Sequence, residues 1–528
     1  MNIREAKEYI KQTARIYLKK NELGDYVIPV VRQRPIFLLG APGVGKTAVM
    51  EQIAQELGIA LVSYSMTHHT RQSALGLPFI QHKNFDGMET DISEYTMSEI
   101  IATIYEMMEE SRIREGILFL DEINCVSETL APSMLQFLQY KVFGKHRVPE
   151  GWVIVTAGNP PEYNKSVREF DVAVLDRMKV MEIDPDYAVF KEYAIENGMH
   201  PAILNFLDMK RDYFYRIENT VKGKSYVTAR GWEDLSEIIK LYEEEGYRVD
   251  DTLIDQYIRN NVIKKEFSAY YDLFNKYKRD YHVKEILEGT APEGIEKKAA
   301  AAGFDERLSL LSMLIDKVVS DMKDCILKTD HMSALSPVLK KAVSIASGDT
   351  QTSPDNKSSG GYDGDMPQKG QEGMYRESSD ALVAYFDGII ENDRRRLGSL
   401  KKAGAISRDD EQTLKRTLIF MEEARKELLL NDMNIDRVKE KYNNALKSVK
   451  DDCTLVSGEL KNLFEFTEKA FEDGNEMLIL VTELTVNKYA SRFLARFGSE
   501  EYTKHNKELM LSERQGDLDR EIHELLAL

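Results

Sequence analysis

The chain contains 528 residues, of which 30% are charged and 42% hydrophobic, and its formal net charge is −18. This length predicts roughly two to four domains, and the composition is that of an ordinary soluble protein. The acidic balance argues against nucleic acid as the main ligand, because phosphate binding requires a basic surface. Three widely spaced cysteines and the lack of a long apolar run predict a cytoplasmic protein without a membrane span.

The first 57 residues contain a phosphate-binding pattern in a matching context. Residues 1–20 have the spacing of a leading helix, and the apolar run 36–39 predicts a buried strand. The sequence GAPGVGKT follows at 40–47 and matches G-x-x-x-x-G-K-[ST], and residues 48–57 have helical periodicity. We therefore predict that the following residues bind nucleotide phosphates: Gly40, Ala41, Pro42, Gly43, Val44, Gly45, Lys46, Thr47 and Ala48.

Each residue type in this loop has a chemical reason to be there. The glycines let backbone N–H groups turn towards an anion, and the following helix N-terminus adds partial positive charge. Lys46 can reach the β and γ phosphates, and the Thr47 hydroxyl can ligate Mg²⁺. The alternative, a glycine-rich turn with an unrelated lysine, does not explain why the pattern and its strand–loop–helix context coincide.

Two carboxylates follow a second apolar run. Residues 60–65 predict a strand, and residues 116–121 predict a buried parallel strand that ends in Asp121 and Glu122. Ligands bind at the carboxyl ends of strands in open α/β sheets. We predict that Asp121 holds Mg²⁺ through water and that Glu122 polarises the attacking water.

Polar residues after the next strands complete the candidate site. Residues 152–157 predict a buried strand followed by Asn159, which we expect to sense the γ-phosphate or to orient water; alternatively, Asn159 only caps a turn. Residues 180–183 predict a fifth strand, and Arg168 and Arg177 precede it. Arg230 starts a helix; the alternative for it is a solvated surface arginine.

Strands alternating with helices predict an α/β domain with a parallel sheet covered on both faces, at 1–185. The strand pattern then fades. Helical periodicity predicts helical segments at 186–265 and 266–346 and an α-helical C-terminal region at 381–528. Residues 347–380 are rich in Ser, Gly, Asp, Gln and Pro, which predicts a disordered linker.

The region 28–242 resembles the AAA+ ATPases, a class of P-loop NTPases, and within them the MoxR-type group. The resemblance rests on GAPGVGKT, on LFLDEIN at 118–124, on Asn159 in VTAGNPP, on LDRM at 175–178 and on TAR at 228–230, in the order of that family. Met178 stands where the family has an aromatic residue, and Ala229 where it has proline. The resemblance covers under half of the chain.

This resemblance implies Mg²⁺-dependent ATP hydrolysis by a ring oligomer, usually a hexamer, with ATP between neighbouring subunits. It implies that Glu122 and Asn159 are catalytic, that Arg230 acts from a helical lid at 186–265, and that Arg177, or else Arg168, completes the site of the next subunit. Members of the group act as chaperones or remodellers and are often paired with proteins that contain von Willebrand factor A domains. The alternatives are a nucleotide-gated scaffold with slow hydrolysis and a nucleic-acid-directed motor.

Overall fold

The computed structural model describes residues 1–68, 76–85, 88–164, 167–220, 223–347, 371–430, 435–472 and 474–507. The chain divides into two compact units. The first consists of Met1–Leu273 and Gly398–Ser407, and the second of Phe274–Leu397 and Arg408–Leu528. Each unit has its own hydrophobic core and is described separately.

The first unit is built on a parallel sheet. The strands of the described chain are β1 Ile36–Gly40, β2 Ala60–Ser65, β3 Pro78–Phe85, β4 Met88–Tyr95, β5 Gly116–Asp121, β6 Val142–Phe143, β7 His146–Arg147, β8 Trp152–Gly158, β9 Lys179–Ile183, β10 Arg216–Thr220 and β11 Gly223–Val227. Five of them form one sheet in the order β2-β5-β8-β1-β9, and every neighbouring pair is parallel. The five strands predicted from apolar runs are therefore confirmed.

Helices cover both faces of this sheet, as the sequence pattern predicted. The helices of the first unit are α1 Ile3–Tyr17, α2 Lys46–Leu57, α3 Glu99–Ser111, α4 Ala131–Tyr140, α5 Val172–Leu175, α6 Tyr187–Glu196, α7 Pro201–Met209, α8 Ala229–Glu244, α9 Asp251–Tyr257 and α10 Asn261–Asp280, whose last residues lie in the second unit. Helices α1 and α2 pack on one face of the sheet and α3 and α4 on the other. Side chains alternate along each strand: Phe37 and Leu118 enter one core cluster, whereas Leu38 and Phe119 enter the other. This double burial explains why β1, β5 and β8 are almost continuously apolar, whereas the edge strand β9 buries only Met181 and Ile183.

Local chemistry determines where several of these helices begin. At α1, the Asn2 side chain accepts from the Glu5 N–H, and the Glu5 carboxylate accepts from the Asn2 N–H, which forms a capping box. At α8, the Thr228 side chain accepts from the Gly231 N–H. These caps satisfy backbone donors that the first helical turn leaves without partners.

Three two-stranded antiparallel hairpins, β3–β4, β6–β7 and β10–β11, were not predicted. The longest, β3–β4, exposes Ile80, Phe85 and Met88 to solvent. Its residues therefore lack the alternation of buried and exposed side chains on which strand prediction relies.

The edge strand β2 is covered by a segment that is distant in sequence. Within the first unit, the Leu61 N–H donates to the Ala403 carbonyl oxygen at 2.9 Å. Ala403 is fully buried in the same core cluster as Ala60 and Val62, and Lys402 pairs with Glu110 at 2.8 Å. An edge strand presents unpaired backbone groups, and this contact satisfies one of them.

The second unit is helical, which confirms the predicted α-helical C-terminal region. Its helices, α11 to α18, are Val283–Leu287, Ile295–Ala301, Phe304–Ala346, Gln371–Lys402, Arg408–Leu430, Ile435–Phe471, Asn475–Val486 and Lys488–Phe497; the last residues of α14 lie in the first unit. The core includes Leu314, Phe386 and Leu460. The predicted linker at 347–380 lies mostly outside the described residues, and α14 begins within it. In the described part of the chain, no helix is long and apolar enough to cross a membrane.

Candidate active site

The predicted phosphate loop lies between β1 and α2, at the carboxyl edge of the sheet. Gly43 and Gly45 have φ values of +77° and +92°, which side chains with a Cβ rarely adopt. Gly40 is needed for a different reason, because a Cβ there would lie 2.8 Å from the Ile183 carbonyl oxygen. The loop conformation therefore depends on glycine at three positions, and α2 begins directly after it at Lys46.

Lys46 is buried, and its ammonium group is held inside the loop. Its Nζ donates to the carbonyl oxygens of Gly40 and Ala41, at 2.7 and 3.0 Å, and to Asn159 Oδ1 at 3.0 Å. Burial lowers the pKa of Lys46 to about 8, although Asp121 and Glu122 act in the opposite direction. Arg230 adds to the lowering through charge repulsion. A bound polyphosphate would stabilise the charged form of this lysine.

The two predicted carboxylates reach the same edge from β5. Thr47 Oγ1 donates to Asp121 Oδ2 at 3.3 Å, so the hydroxyl and the carboxylate lie next to each other. Asp121 Oδ1 accepts from the Glu122 N–H at 2.8 Å. Glu122 has a φ of +55°, which is uncommon for a residue with a side chain and is often found at functional sites.

Asn159 follows β8, the strand between β5 and β1. Its side-chain oxygen accepts from Lys46, as described above, and its backbone carbonyl accepts from Asn124 Nδ2 at 2.8 Å. Asn159 therefore contacts the phosphate loop directly, which a residue that only caps its own turn would not do. The structure brings together Lys46, Thr47, Asp121, Glu122 and Asn159, and their chemical roles stay predictions.

A polar residue at the end of β2 was missed in the sequence. Ser65 Oγ donates to Glu122 Oε2 at 3.0 Å. The parallel register places Ser65 opposite Asp121, which brings the two strand ends together. The signal that could have revealed it is its position as the last residue of a predicted strand, because strand ends in parallel sheets meet at one edge.

Residues beyond the sheet also contact the phosphate loop. Tyr215 OH donates to the Pro42 carbonyl oxygen at 2.8 Å, and burial raises the pKa of this tyrosine. A Cβ at Gly43 would lie 3.1 Å from the side chain of Thr228, the residue that caps α8. The segment 186–265 thus contributes directly to the loop environment.

A pocket of about 220 Å³ opens beside Thr47 and Ala48. Its lining contains Ile3, Val189 and Phe190 as apolar side chains and Arg4, Lys7, Asp186 and Arg230 as polar ones. An apolar pocket with a few polar groups at its rim suits a nucleotide base. Sequence reasoning missed most of this lining, because its residues come from separate segments and follow no local pattern.

The three candidate arginines lie in different environments. Arg230 lines the pocket in the first turn of α8. The Arg168 guanidinium forms an ion pair with Glu128. The backbone N–H of Arg168 donates to the Asn124 carbonyl oxygen at 2.9 Å. Arg177 is exposed just before β9, and among the described residues its guanidinium has no ion-pair partner. Of the two arginines that precede β9, Arg177 is therefore the one whose guanidinium is not already held by an ion pair in the described residues.

Thr47 and Asp121 supply oxygen atoms of the kind that Mg²⁺ prefers. Magnesium sites in phosphoryl-transfer proteins use one or two protein oxygens, together with water and substrate phosphates. The 3.3 Å contact between the Thr47 hydroxyl and the Asp121 carboxylate fits such a site. Among the described residues, no cluster of three His, Cys, Asp or Glu side chains could hold a metal by itself.

The sequence from residue 36 to residue 179 matches the profile of the ATPase family associated with various cellular activities (AAA). This segment, about a quarter of the chain, is therefore similar to an AAA domain. The matched segment begins at β1 and ends at the first residue of β9, so it contains the sheet strands β1, β2, β5 and β8 in full and only the start of β9. The AAA domain supports nucleotide binding and ATP-driven activity. No curated protein matches the chain.

Proposed function

We propose that this protein is a Mg²⁺-dependent ATPase of the MoxR-like type that works as a ring oligomer, such as a hexamer, to remodel protein partners in the cytoplasm. The observation that carries the proposal is the convergence at one sheet edge of Lys46, Asn159, Asp121 and Glu122 from three different strands. Neutralising the phosphate charge, binding the metal ion and activating the attacking water all require side chains close to the γ-phosphate, and this sheet edge brings such side chains together.

Each residue has a task that follows from its geometry. Lys46 neutralises phosphate charge from inside the loop, and Asn159 adds a polar contact next to it. Thr47 and Asp121 would hold Mg²⁺, which neutralises charge on the phosphate oxygens. Glu122 accepts a proton from the attacking water. Arg230 faces the same pocket from α8 and would contact the phosphates there.

The exposed position of Arg177 supports action between subunits. A positive charge from a neighbouring subunit would stabilise charge that develops on the γ-phosphate during transfer. Arg168, by contrast, is already paired with Glu128. We therefore assign the intersubunit role to Arg177 and keep Arg168 as the second candidate.

The exposed hairpin β3–β4 supports a protein client. It presents Ile80, Phe85 and Met88, with 70%, 53% and 71% of their surfaces exposed, beside Asp91 and Glu89. Phe85 and Met88 are cross-strand partners on one face of the hairpin, whereas Ile80 lies on the other face. Adjacent exposed apolar side chains such as Phe85 and Met88 are typical of surfaces that contact other proteins. A von Willebrand factor A domain protein is the client class that the MoxR resemblance favours. The net charge of −18 makes nucleic acid the less favoured partner.

Replacement of Glu122 tests the proposed reaction. Glu122→Gln keeps the size and polarity of the side chain and removes its basicity, so ATP binding should persist while turnover falls by about 10² or more. Glu162→Gln is the matched control, because Glu162 is an exposed carboxylate near the same sheet edge. If Glu122→Gln hydrolyses ATP at the parent rate, Glu122 is not the base. Because Glu122→Gln should stay in the ATP-bound state, it can also be used to isolate the protein client bound to that state.

One contact favours a second possibility, a nucleotide-gated scaffold with slow hydrolysis. Ser65 holds the Glu122 carboxylate towards β2, whereas the phosphate loop lies beyond β8, on the opposite side of β5. A turnover assay on the purified protein separates a fast ATPase from such a scaffold.

A further inference from the structure

Asn124 is a buried polar residue to which the proposed reaction assigns no role. It lies in the 3₁₀ turn Ile123–Cys125 that follows Glu122, and only 3% of its surface is exposed. Its Nδ2 donates to the backbone carbonyl of Asn159 at 2.8 Å. This bond ties the loop after β5 to the loop after β8.

The turn that carries Asn124 is itself held at two further points. The Asn124 carbonyl oxygen accepts from the Arg168 N–H at 2.9 Å. Asn164 Nδ2 donates to Cys125 Sγ at 3.3 Å. The three contacts come from Asn159, Asn164 and Arg168, all of which follow β8, so the turn after β5 is bound to the chain after β8 at three places.

Gly158 leaves the space that the Asn124 side chain fills. A Cβ at Gly158 would lie 2.5 Å from Asn124 Oδ1, and its three nearest atoms would all belong to the Asn124 amide. Within the described residues, Asn124 Oδ1 is buried without a hydrogen-bond partner. A buried polar atom without a partner destabilises the fold, so Asn124 is an unfavourable choice for a residue that only fills space.

We propose that Asn124 is a positioning residue that places the Asn159 side chain next to Lys46, where the γ-phosphate of ATP is bound. The inference rests on the proposed function and names a further residue for it. Asn159 presents its side chain to Lys46 at 3.0 Å while Asn124 holds the same residue by its backbone. Loss of the hydrogen bond from Asn124 to the Asn159 backbone would displace the Asn159 side chain from the γ-phosphate. The contacts of the loop to the other phosphates would stay unchanged.

The first test compares ATP with ADP. In Asn124→Leu, which keeps a similar volume without the amide donor, ADP affinity should stay within about twofold of the parent. The preference for ATP over ADP should shrink and kcat should fall about tenfold, since small displacements of aligned groups lower rates strongly. Asn205→Leu is the control, because Asn205 is equally buried, on α7, and does not line the pocket.

A double-mutant cycle provides the second test, and it does not depend on how Leu fits. Gly158→Ala alone should lower kcat and the preference for ATP over ADP as Asn124→Leu does, because the added Cβ displaces the Asn124 amide. Adding Gly158→Ala to Asn124→Ala should cause little further change in kcat or in the ATP-to-ADP preference, because the conflicting atoms are gone. Additive effects of the two substitutions would contradict a shared mechanism.

The outcomes distinguish this inference from the proposed function. If the parent hydrolyses ATP and Asn124→Leu retains both its kcat and its preference for ATP, the inference is wrong and the proposed function stands. If Asn124→Leu loses ADP binding as strongly as ATP binding, Asn124 has only a structural role. If the parent binds ATP without turnover, the proposed hydrolysis is wrong, and the ATP-to-ADP preference still decides the role of Asn124.

Discussion

The hydroxyl of Ser65 lies 3.0 Å from Oε2 of Glu122 and holds that carboxylate at the edge of the sheet. Ser65 ends β2, and Glu122 directly follows β5. The phosphate loop follows β1, which is separated from β5 by β8. The hydrogen bond therefore holds one oxygen of the proposed base towards β2, and we expect this contact to compete with the contact of Glu122 to water beside the γ-phosphate.

Removing the Ser65 hydroxyl should raise the rate of ATP hydrolysis. A hydrogen bond worth about 0.5–1 kcal/mol corresponds to roughly a two- to fivefold change in rate, so Ser65→Ala should raise kcat by that factor without changing KM. Ser65→Thr keeps a hydroxyl and should behave like the parent. Steady-state ATPase assays decide the matter, and a lower kcat in Ser65→Ala would mean that Ser65 supports the base in its active position.

ATP affinity should fall at alkaline pH. The pKa of Lys46 is lowered to about 8, so Lys46 is charged at pH 7 and mostly neutral at pH 9. If the charged form binds phosphate, affinity falls about tenfold across this range. Binding raises this pKa, so the complex takes up a proton as it forms near pH 9. Calorimetry in two buffers of different ionisation enthalpy would detect this uptake, and identical enthalpies in both would rule it out.

Arg177 should act on the site of a neighbouring molecule. Arg177→Ala alone should bind ATP and lose turnover by about 10³, the size of effect that such arginines have in phosphoryl transfer. Lys46→Ala alone should be inactive because it lacks the phosphate contact. Mixing the two variants should restore part of the activity, since one mixed interface combines an intact loop with an intact arginine.

The control for this mixing experiment is Arg168→Ala in place of Arg177→Ala. Specific activity of the parent should also rise with protein concentration where subunits assemble. A mixture that stays inactive although mixed oligomers form, together with a parent activity independent of concentration, would contradict the intersubunit role.

The segment that covers β2 should stabilise the first unit. Ala403 is fully buried against this strand, and Gly404 has a φ of +64°. Ala403→Glu would place a charge in that cluster and should lower the unfolding free energy by at least about 2 kcal/mol. Ala403→Ser changes the volume much less and serves as the control. Thermal unfolding measures the loss, and light scattering should detect aggregation through the uncovered edge; unchanged unfolding would mean that the contact is dispensable.

Much of the first unit was determined by local sequence patterns. The apolar runs predicted all five strands of the sheet. Strands β1, β5 and β8 are buried on both faces and almost continuously hydrophobic, whereas the edge strands β2 and β9 have shorter apolar runs. The loop from Gly40 to Thr47 was equally predictable, because glycines with positive φ and a lysine at the first position of the helix are local requirements. Asp121 and Glu122 were identified because a buried strand ends at them.

The tertiary structure alone decided the contacts between those segments. The strand order places Ser65 beside Glu122 and Asn159 beside Lys46, and no spacing in the sequence determines that order. The same holds for the pocket lining from α1 and α6, and for Ala403, which reaches Leu61 across more than 300 residues of sequence. Such contacts depend on which surfaces pack together, whereas the sequence pattern reports only which side of each element is buried.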